Sequence, residues 1–435
     1  MNLNFTRELS GHPPGLLTLF FTELWERFSF YGMRAILVLF LISETSGDNP
    51  GMGWSNQEAL YLYGWYTALV YIACVPGGLL GDKYLNNINA VTLGGALLCI
   101  GHLLLALKSE YFFFSGLIFI ILGVGLLKPN ISTLVGGLYK KNDVRRDQGF
   151  TIFYIGINFG AFFASLIVGY IGEVHGWHYG FSLAGFGMII GQLFFITGKK
   201  KLKIRQVEKI YFKNLKFTPK EIDRLKLILI ASIILVIFWA SFEQAGGLMN
   251  IYAYEKTDRF LDFLNFEIPA GWFQSINPLL IIFLGFYVSS FWLLMKKKKI
   301  FSSSIFKIAV GLIIMGMGFV FMYFASVESH QFGKSSMHWL ILAYLFHTIG
   351  ELCASPVILS YITKLSPKKI IASIMGLYFA AIGIGNKLAG TIGQYSDKLG
   401  EKAVFLGITF ICSFIGVLII FLQKKMNKLS HGYDS

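Results

Sequence analysis

The sequence predicts an all-α integral membrane protein, a bundle of twelve transmembrane helices divided six and six by one basic segment. Three observations predict it. Of the 435 residues, 55% are hydrophobic and only 14% charged, whereas a soluble chain carries about a quarter charged. The apolar residues fall in runs long enough to span a bilayer, which takes about 20 residues per helix. The basic residues behind the net charge of +14 sit in short segments between those runs. That distribution follows membrane topology, and no nucleic-acid partner is expected. A closed barrel would show short alternating strands, so the spans are helical.

The spans fall at roughly 15–42, 58–80, 90–107, 111–138, 149–171, 180–197, 226–249, 273–295, 304–326, 337–363, 372–395 and 402–423. Their order and orientation follow from Lys and Arg in the loops. One side receives Arg7 before span one, Lys83 after span two, and Lys140, Lys141, Arg145 and Arg146 after span four. The same side takes the run "KKKLKIRQVEKIYFKNLKFTPKEIDRLK" from Lys199, then Lys296 to Lys299, Lys364, Lys368, Lys369, Lys424 and Lys425. The opposite loops hold only Lys108, Lys256, Arg259, Lys334, Lys398 and Lys402. Both termini are therefore expected in the cytoplasm. The polar N-terminus "MNLNFTRELSGHPPG" and the length of the first apolar run do not fit a cleavable signal peptide.

The resulting organisation is an N-terminal six-helix bundle at 1–197, a basic cytoplasmic linker at 198–225 and a C-terminal bundle at 226–435. Within the linker, "TPKE" at 218–221 reads as an N-cap, a first-turn Pro and a capping-box Glu that start span seven. Cys74, Cys99, Cys353 and Cys412 lie inside apolar runs and read as small hydrophobes, and no metal site is expected. The sequons at Asn4 and Asn130 read as chance matches. Spans four ("GVGLLKPN") and ten ("GELCASP") each carry a Gly, an ionisable residue and a Pro. Such matched interruptions point to a binding site between repeats.

Charges at bilayer depth are costly and face a bundle interior or a watery cavity. In "TELWERFSFYGMRAILVLFL", from Thr22, Glu23, Arg27 and Arg34 fall within about 40° of one another at about 100° per residue. Glu26 and Tyr31 flank them, and Glu23 and Arg27 are spaced to pair at i,i+4. Lys128 in span four, Glu243 in span seven and Glu351 in span ten add charges, with Asn158 and Asn277 in spans five and eight. Cations in one half and acids in the other suit a zwitterion, or charge pairs that form and break between the halves. Buried acids can also carry protons.

With these residues in place the chain resembles the proton-coupled oligopeptide transporters of the major facilitator superfamily, over most of its length. The E-x-x-E-R signature stands as Glu23, Glu26 and Arg27, followed by "FSFYGMRAIL". "GGLLGDKYL", with Asp82 and Lys83, is similar to the superfamily's loop motif. "FYIGINFGAF" at 153–162, "FWASFEQAGG" from Phe238, "QSINPL" from Gln274, "GELCASPVILSYITKLSP" from Gly350 and "MGLYFAAIGIGNKLAG" from Met375 resemble the signatures of spans five, seven, eight, ten and eleven.

The resemblance implies a major facilitator fold and a monomeric proton symporter in the plasma membrane. It would import di- and tripeptides by alternating access, driven by the proton gradient without a cofactor. It implies that Arg34, Lys128, Tyr31 and Asn158 hold the peptide's carboxylate end and backbone. Glu351 with Asn277 and Ser355 would receive its N-terminus, and Tyr71 and Trp239 would line the pocket. Glu23, Glu26 and Arg27 would couple protons, with Glu351 also in the proton set. Arg34–Glu243 and Lys128–Glu351 would be the gating pairs.

Three departures bear on substrate range and helix count. Phe30 stands where the family often has a second Tyr, and Tyr378 where a Trp is usual. Bacterial members usually insert two further helices between the halves, and residues 198–225 are too few for two crossings. His347, one turn before Glu351, reads as a relay or as a packing histidine. Lys387 reads as facing the cavity or as snorkelling to the cytoplasmic interface. The alternative function is a same-fold transporter of another solute, such as an amino acid derivative, a peptide-like compound or nitrate. A membrane enzyme would need a nucleophile–base pair or a metal motif, and H-E-x-x-H and G-x-S-x-G are absent. A channel suits a ring of one sign better than these scattered unlike charges.

Overall fold

The computed structural model describes residues 11–140, 143, 145–202, 217–298 and 303–432. Among them twelve long helices follow in chain order. In the N-terminal part these are α1 Gly15–Ile42, α2 Asn56–Leu85, α3 Asn87–Leu105, α4 Glu110–Gly137, α5 Arg145–Tyr170 and α6 Trp177–Gly198. The remainder are α7 Pro219–Phe242, α8 Ile276–Lys297, α9 Ser304–Phe332, α10 His338–Leu365, α11 Ile371–Gln394 and α12 Glu401–Leu429. Ten are long and apolar enough to cross a membrane. α1 falls outside that set because Glu23, Glu26, Arg27 and Arg34 interrupt its apolar run.

Packing gathers the chain into two compact units, Met1–Arg34 with Ile72–Lys209, and Ala35–Tyr71 with Ile210–Ser435. In the first, α3 packs along α4 and α6, and the second part of α2 lies on α4. A Cβ built on Gly77 of α2 would sit 2.0 Å from the Gly125 carbonyl oxygen of α4, so these backbones touch. In the second unit α9 packs on α10 and α12, α7 on α11, and α8 on α10. Gly311 of α9 and Gly350 of α10 meet similarly: a Cβ on either would lie 2.7 Å from the other's carbonyl oxygen. Small residues that let backbones approach are how membrane helices gain van der Waals contact where lipid removes the hydrophobic drive.

This packing corrects the reading of spans four and ten as interrupted. α4 runs unbroken through Pro129 and α10 through Pro356. Their glycines serve helix contact instead. The break lies in α7, which the sequence predicts as one span at 226–249. After Phe242 a 3-10 turn, Glu243–Ala245, leads through Gly246 and Gly247 into a further helix, Leu248–Lys256. Gly247, at φ −105° and ψ −106°, takes the redirection. The Gln244 side chain donates to the carbonyls of Ala240 and Ala389, both at 3.0 Å, so the turn does not leave them bare.

The start of α7 is as the sequence predicts. Thr218 Oγ1 accepts from the Glu221 amide while the Glu221 carboxylate accepts from the Thr218 amide. Lys369 adds an ion pair to Glu221 at 2.9 Å. Most of the basic linker, 203–216, lies outside the described residues, as do Asn4, Arg7, Lys141 and Lys299. Asn130 is buried in α4 and donates to the Leu126 and Gly77 carbonyls at 2.7 and 3.1 Å. Cys74, Cys353 and Cys412 are buried, Cys99 is half-buried, and all four are free thiols.

Between α7 and α8, Phe260–Leu261 pairs antiparallel with Phe266–Glu267, and Thr257–Asp258 pairs with Ser335–Ser336 ahead of α10. Outside the spans, His12 Nδ1 and the Tyr139 hydroxyl share a hydrogen bond of 2.8 Å. Burial, with the Arg145 charge beside it, holds the His12 imidazole below its usual value. Hydrogen bonds from Arg145 hold the Asp143 carboxyl down to about 2.

Candidate functional site

In the first unit the charged stripe of α1 forms a closed cluster. Arg27 makes two hydrogen bonds to the Glu26 carboxylate, Nη2 to Oε1 at 2.6 Å and Nε to Oε2. Its Nε also lies 3.2 Å from Glu23 Oε1. The predicted i,i+4 pair is present, and the closer partner is the adjacent Glu26. A fork of two parallel N–H donors suits one carboxylate, and Glu23 shares what remains. Glu23 Oε2 is buried without a hydrogen bond among the described residues.

Rings complete the surroundings of the two arginines. The Arg27 guanidinium lies over Phe30 at 5.3 Å and Tyr31 at 5.9 Å, and that of Arg34 over Tyr31 at 5.6 Å. These are cation–π distances. Phe30, where the resembled family often has Tyr, thus offers its ring face to Arg27. Lys128 of α4 stands within electrostatic reach of Glu23, Glu26, Arg27 and Tyr31. Glu23, Glu26, Arg27, Tyr31, Arg34 and Lys128 are therefore one constellation. α5 presses on it at Gly160, where a Cβ would sit 2.3 Å from the Leu24 carbonyl oxygen. Asn158, two residues before Gly160, is buried and spends its amide on the Tyr154 carbonyl of its own helix at 2.9 Å.

The second unit holds the remaining predicted residues. Asn277 of α8 donates to Glu351 Oε2 of α10 at 2.8 Å and to Thr348 Oγ1 at 3.1 Å. Ser355 stands one turn beyond Glu351 on α10 and is half-buried. Tyr71 and Trp239 face each other with ring centroids 6.4 Å apart. Glu243, at the α7 break, is buried and accepts from the Tyr63 hydroxyl at 2.5 Å. Tyr378 is buried on α11.

Two partners escape sequence reasoning. Tyr63 is one of 21 tyrosines, and nothing local marks it as the donor to a glutamate 180 residues away. Thr348 carries a faint signal, being a polar residue one turn before Glu351. Of the two ambiguous residues, His347 packs its ring 4.4 Å from that of Phe319, centroid to centroid. Neither of its nitrogens finds a hydrogen-bond partner among the described residues, which fits the packing reading. Lys387 does not reach back toward Lys369. Its Nζ lies over Tyr61 and Trp65 at 4.9 and 5.1 Å and donates to Thr391 Oγ1 at 3.1 Å. The Thr391 contact lies toward the Gln394 end of α11.

Ten apolar spans, with Glu23, Glu26, Arg27 and Arg34 buried on α1 and Glu243 buried at the α7 break, define a polytopic membrane protein of the transporter class. The comparisons narrow the class. The model of the POT family matches residues 88–217 and 202–406. A peptide transporter of Yersinia enterocolitica is 36% identical over 99% of this chain and 98% of its own length. A di-/tripeptide transporter of Lactococcus lactis is 33% identical over 98% of this chain and 99% of its own. A solved POT peptide transporter in complex with alafosfalin superposes with a TM-score of 0.88 at 32% identity, covering 96% of both chains. A POT family transporter in complex with 5-aminolevulinic acid superposes at 0.87 and 30% identity, covering 96% of this chain and 97% of its own.

The chain belongs to the POT family, the proton-coupled oligopeptide transporters of the major facilitator fold. The two blocks of the family match meet at 202–217, within the basic linker. The Yersinia alignment runs over 504 positions, more than the 435 residues present here, so that relative carries segments without a counterpart in this chain. The named relatives are transporters, not enzymes.

Proposed function

We propose that this protein is a proton-coupled symporter that imports di- and tripeptides across the plasma membrane, with its termini in the cytoplasm. The observation that carries this reading is the pair of oppositely charged sets, one in each unit. Arg34 and Lys128 with Tyr31 and Asn158 suit a carboxylate end and peptide backbone. Glu351, already oriented by Asn277, suits an ammonium end with Ser355, and Tyr71 and Trp239 supply apolar walls. Glu23, Glu26 and Arg27, with Glu351, form the proton-coupling set: a proton on either α1 acid releases part of the Arg27 pairing and alters the charge beside Lys128. Arg34 with Glu243, and Lys128 with Glu351, are the charge partners proposed to exchange through the cycle. The proton gradient drives the cycle without a cofactor, and one chain is the working unit.

The names of the Yersinia and Lactococcus relatives support peptides as the cargo. Ligand stabilisation tests it. Dialanine at ten times its dissociation constant stabilises the purified protein by about 1.4 kcal/mol, and free alanine does not. Glu351→Gln lowers dialanine affinity at least about tenfold, because a hydrogen bond to a charged group contributes about 1.5–3 kcal/mol. Stabilisation by 5-aminolevulinic acid and not by dialanine would move the assignment to an amino acid derivative.

A further inference from the structure

α8 is the least covered of the candidate spans. Only 17% of its apolar stretch is buried, against 33% to 56% in the other nine. Beside it runs a cavity of about 550 Å³. Phe291, Trp292 and Met295 of α8 form one wall, Phe306 and Val310 of α9 the other, and Cys353 of α10 lies in the floor. One end carries a concentration of positive charge. Lys296 and Lys297 close the last turn of α8, Lys298 caps it, and all three are exposed. Lys307, in the first turn of α9, holds its Nζ 5.5 Å from the Trp292 ring centroid. An apolar slot along a membrane-spanning helix thus runs to a helix end that carries three exposed lysines, with Lys307 beside its Trp292 wall.

We propose that this groove is a binding site for an anionic phospholipid, one acyl chain lying against Phe291, Trp292 and Val310 and the phosphodiester held by Lys296, Lys297, Lys298 and Lys307. The chain alone confers no selectivity, since a lipid tail is as apolar as the groove. Selectivity comes from the headgroup, because basic residues at the ends of membrane helices attract anionic lipids. The same four charges disfavour a second copy of this protein, whose groove would bring like charges opposite. Nothing in this inference depends on the transported solute.

Trp292 in the wall supplies the readout. The protein is placed in phosphatidylcholine vesicles containing increasing fractions of brominated phosphatidylglycerol or brominated phosphatidylcholine, and tryptophan fluorescence is followed. Trp292 is one of eight tryptophans, so its share is the difference between the parent and Trp292→Phe. The expected result is half-quenching of that share at a phosphatidylglycerol fraction at least about fivefold lower than for phosphatidylcholine, the effect of a single well-placed lysine. Replacing the four lysines with Gln makes the two lipids equivalent while leaving the groove and its tryptophan in place. Equal quenching by both lipids in the parent, or preference undiminished in the lysine variant, overturns the proposal. So does quenching of the parent identical to that of Trp292→Phe, which would mean that protein and not lipid covers the groove.

Discussion

Replacing Arg27 by Met tests whether the α1 cluster is held as a unit. Met keeps the length of the stem but removes a guanidinium that makes two hydrogen bonds to Glu26 and lies 3.2 Å from Glu23. Glu26 is 0% and Glu23 2% exposed, so water cannot take its place. Removing one partner of a buried ion pair costs about 3–5 kcal/mol. Lys128 stays within electrostatic reach of both carboxylates, so the loss stays within that range. At about 2 °C per kcal/mol, the lower sensitivity of long chains, the apparent Tm falls by roughly 6–10 °C. Thermal unfolding of purified protein at a fixed scan rate near neutral pH measures it. Glu26→Gln in the Arg27→Met background restores part of the loss, because a neutral amide needs no counter-charge. An unchanged Tm for Arg27→Met near neutral pH would refute the reasoning.

Three further outcomes follow from named contacts. Tyr63→Phe strips the hydroxyl from Glu243 and is expected to cost about 1.5–3 kcal/mol, the range for hydrogen bonds to charged groups; thermal unfolding against Glu243→Gln and the double variant gives the coupling. His347→Phe removes a ring whose nitrogens have no described partner, so proton-driven uptake stays at the parental level, whereas a relay role would abolish it. The His12 imidazole is held below its unfolded value of about 6.5. Its contact with Tyr139 is therefore fully stabilising above that pH and weakens as the pH falls toward the folded value, as the unfolded segment takes up the proton first. Proteolysis at Gly11–His12 rises between neutral and mildly acidic pH in the parent and stays flat in His12→Gln.

Much of the fold can be read in the sequence, because hydropathy and loop charge act locally along the chain. The helix start at Thr218 is legible for the same reason: its cap residues lie within one turn of each other. The charged stripe of α1 is legible because helical periodicity alone places Glu23, Arg27 and Arg34 on one face. What stays hidden is decided between helices. The glycines and prolines of α4 and α10 look like interruptions until their backbones are seen against α2 and α9. The break in α7 hides in "EQAGG", a sequence that a continuous membrane helix would also tolerate. Tyr63 reaches Glu243 only through the packing of distant segments. Glu26 as the principal partner of Arg27, over the better-spaced Glu23, is a matter of side-chain rotamers that spacing does not specify.

The central claim is that the charged clusters couple a proton gradient to peptide import. The most direct measurement is uptake of labelled dialanine into proteoliposomes with and without an inward proton gradient. Gradient-dependent accumulation, competed by tripeptides and not by free alanine, is the predicted result. A correctly folded preparation that takes up no dialanine, or takes it up equally without the gradient, would contradict the account.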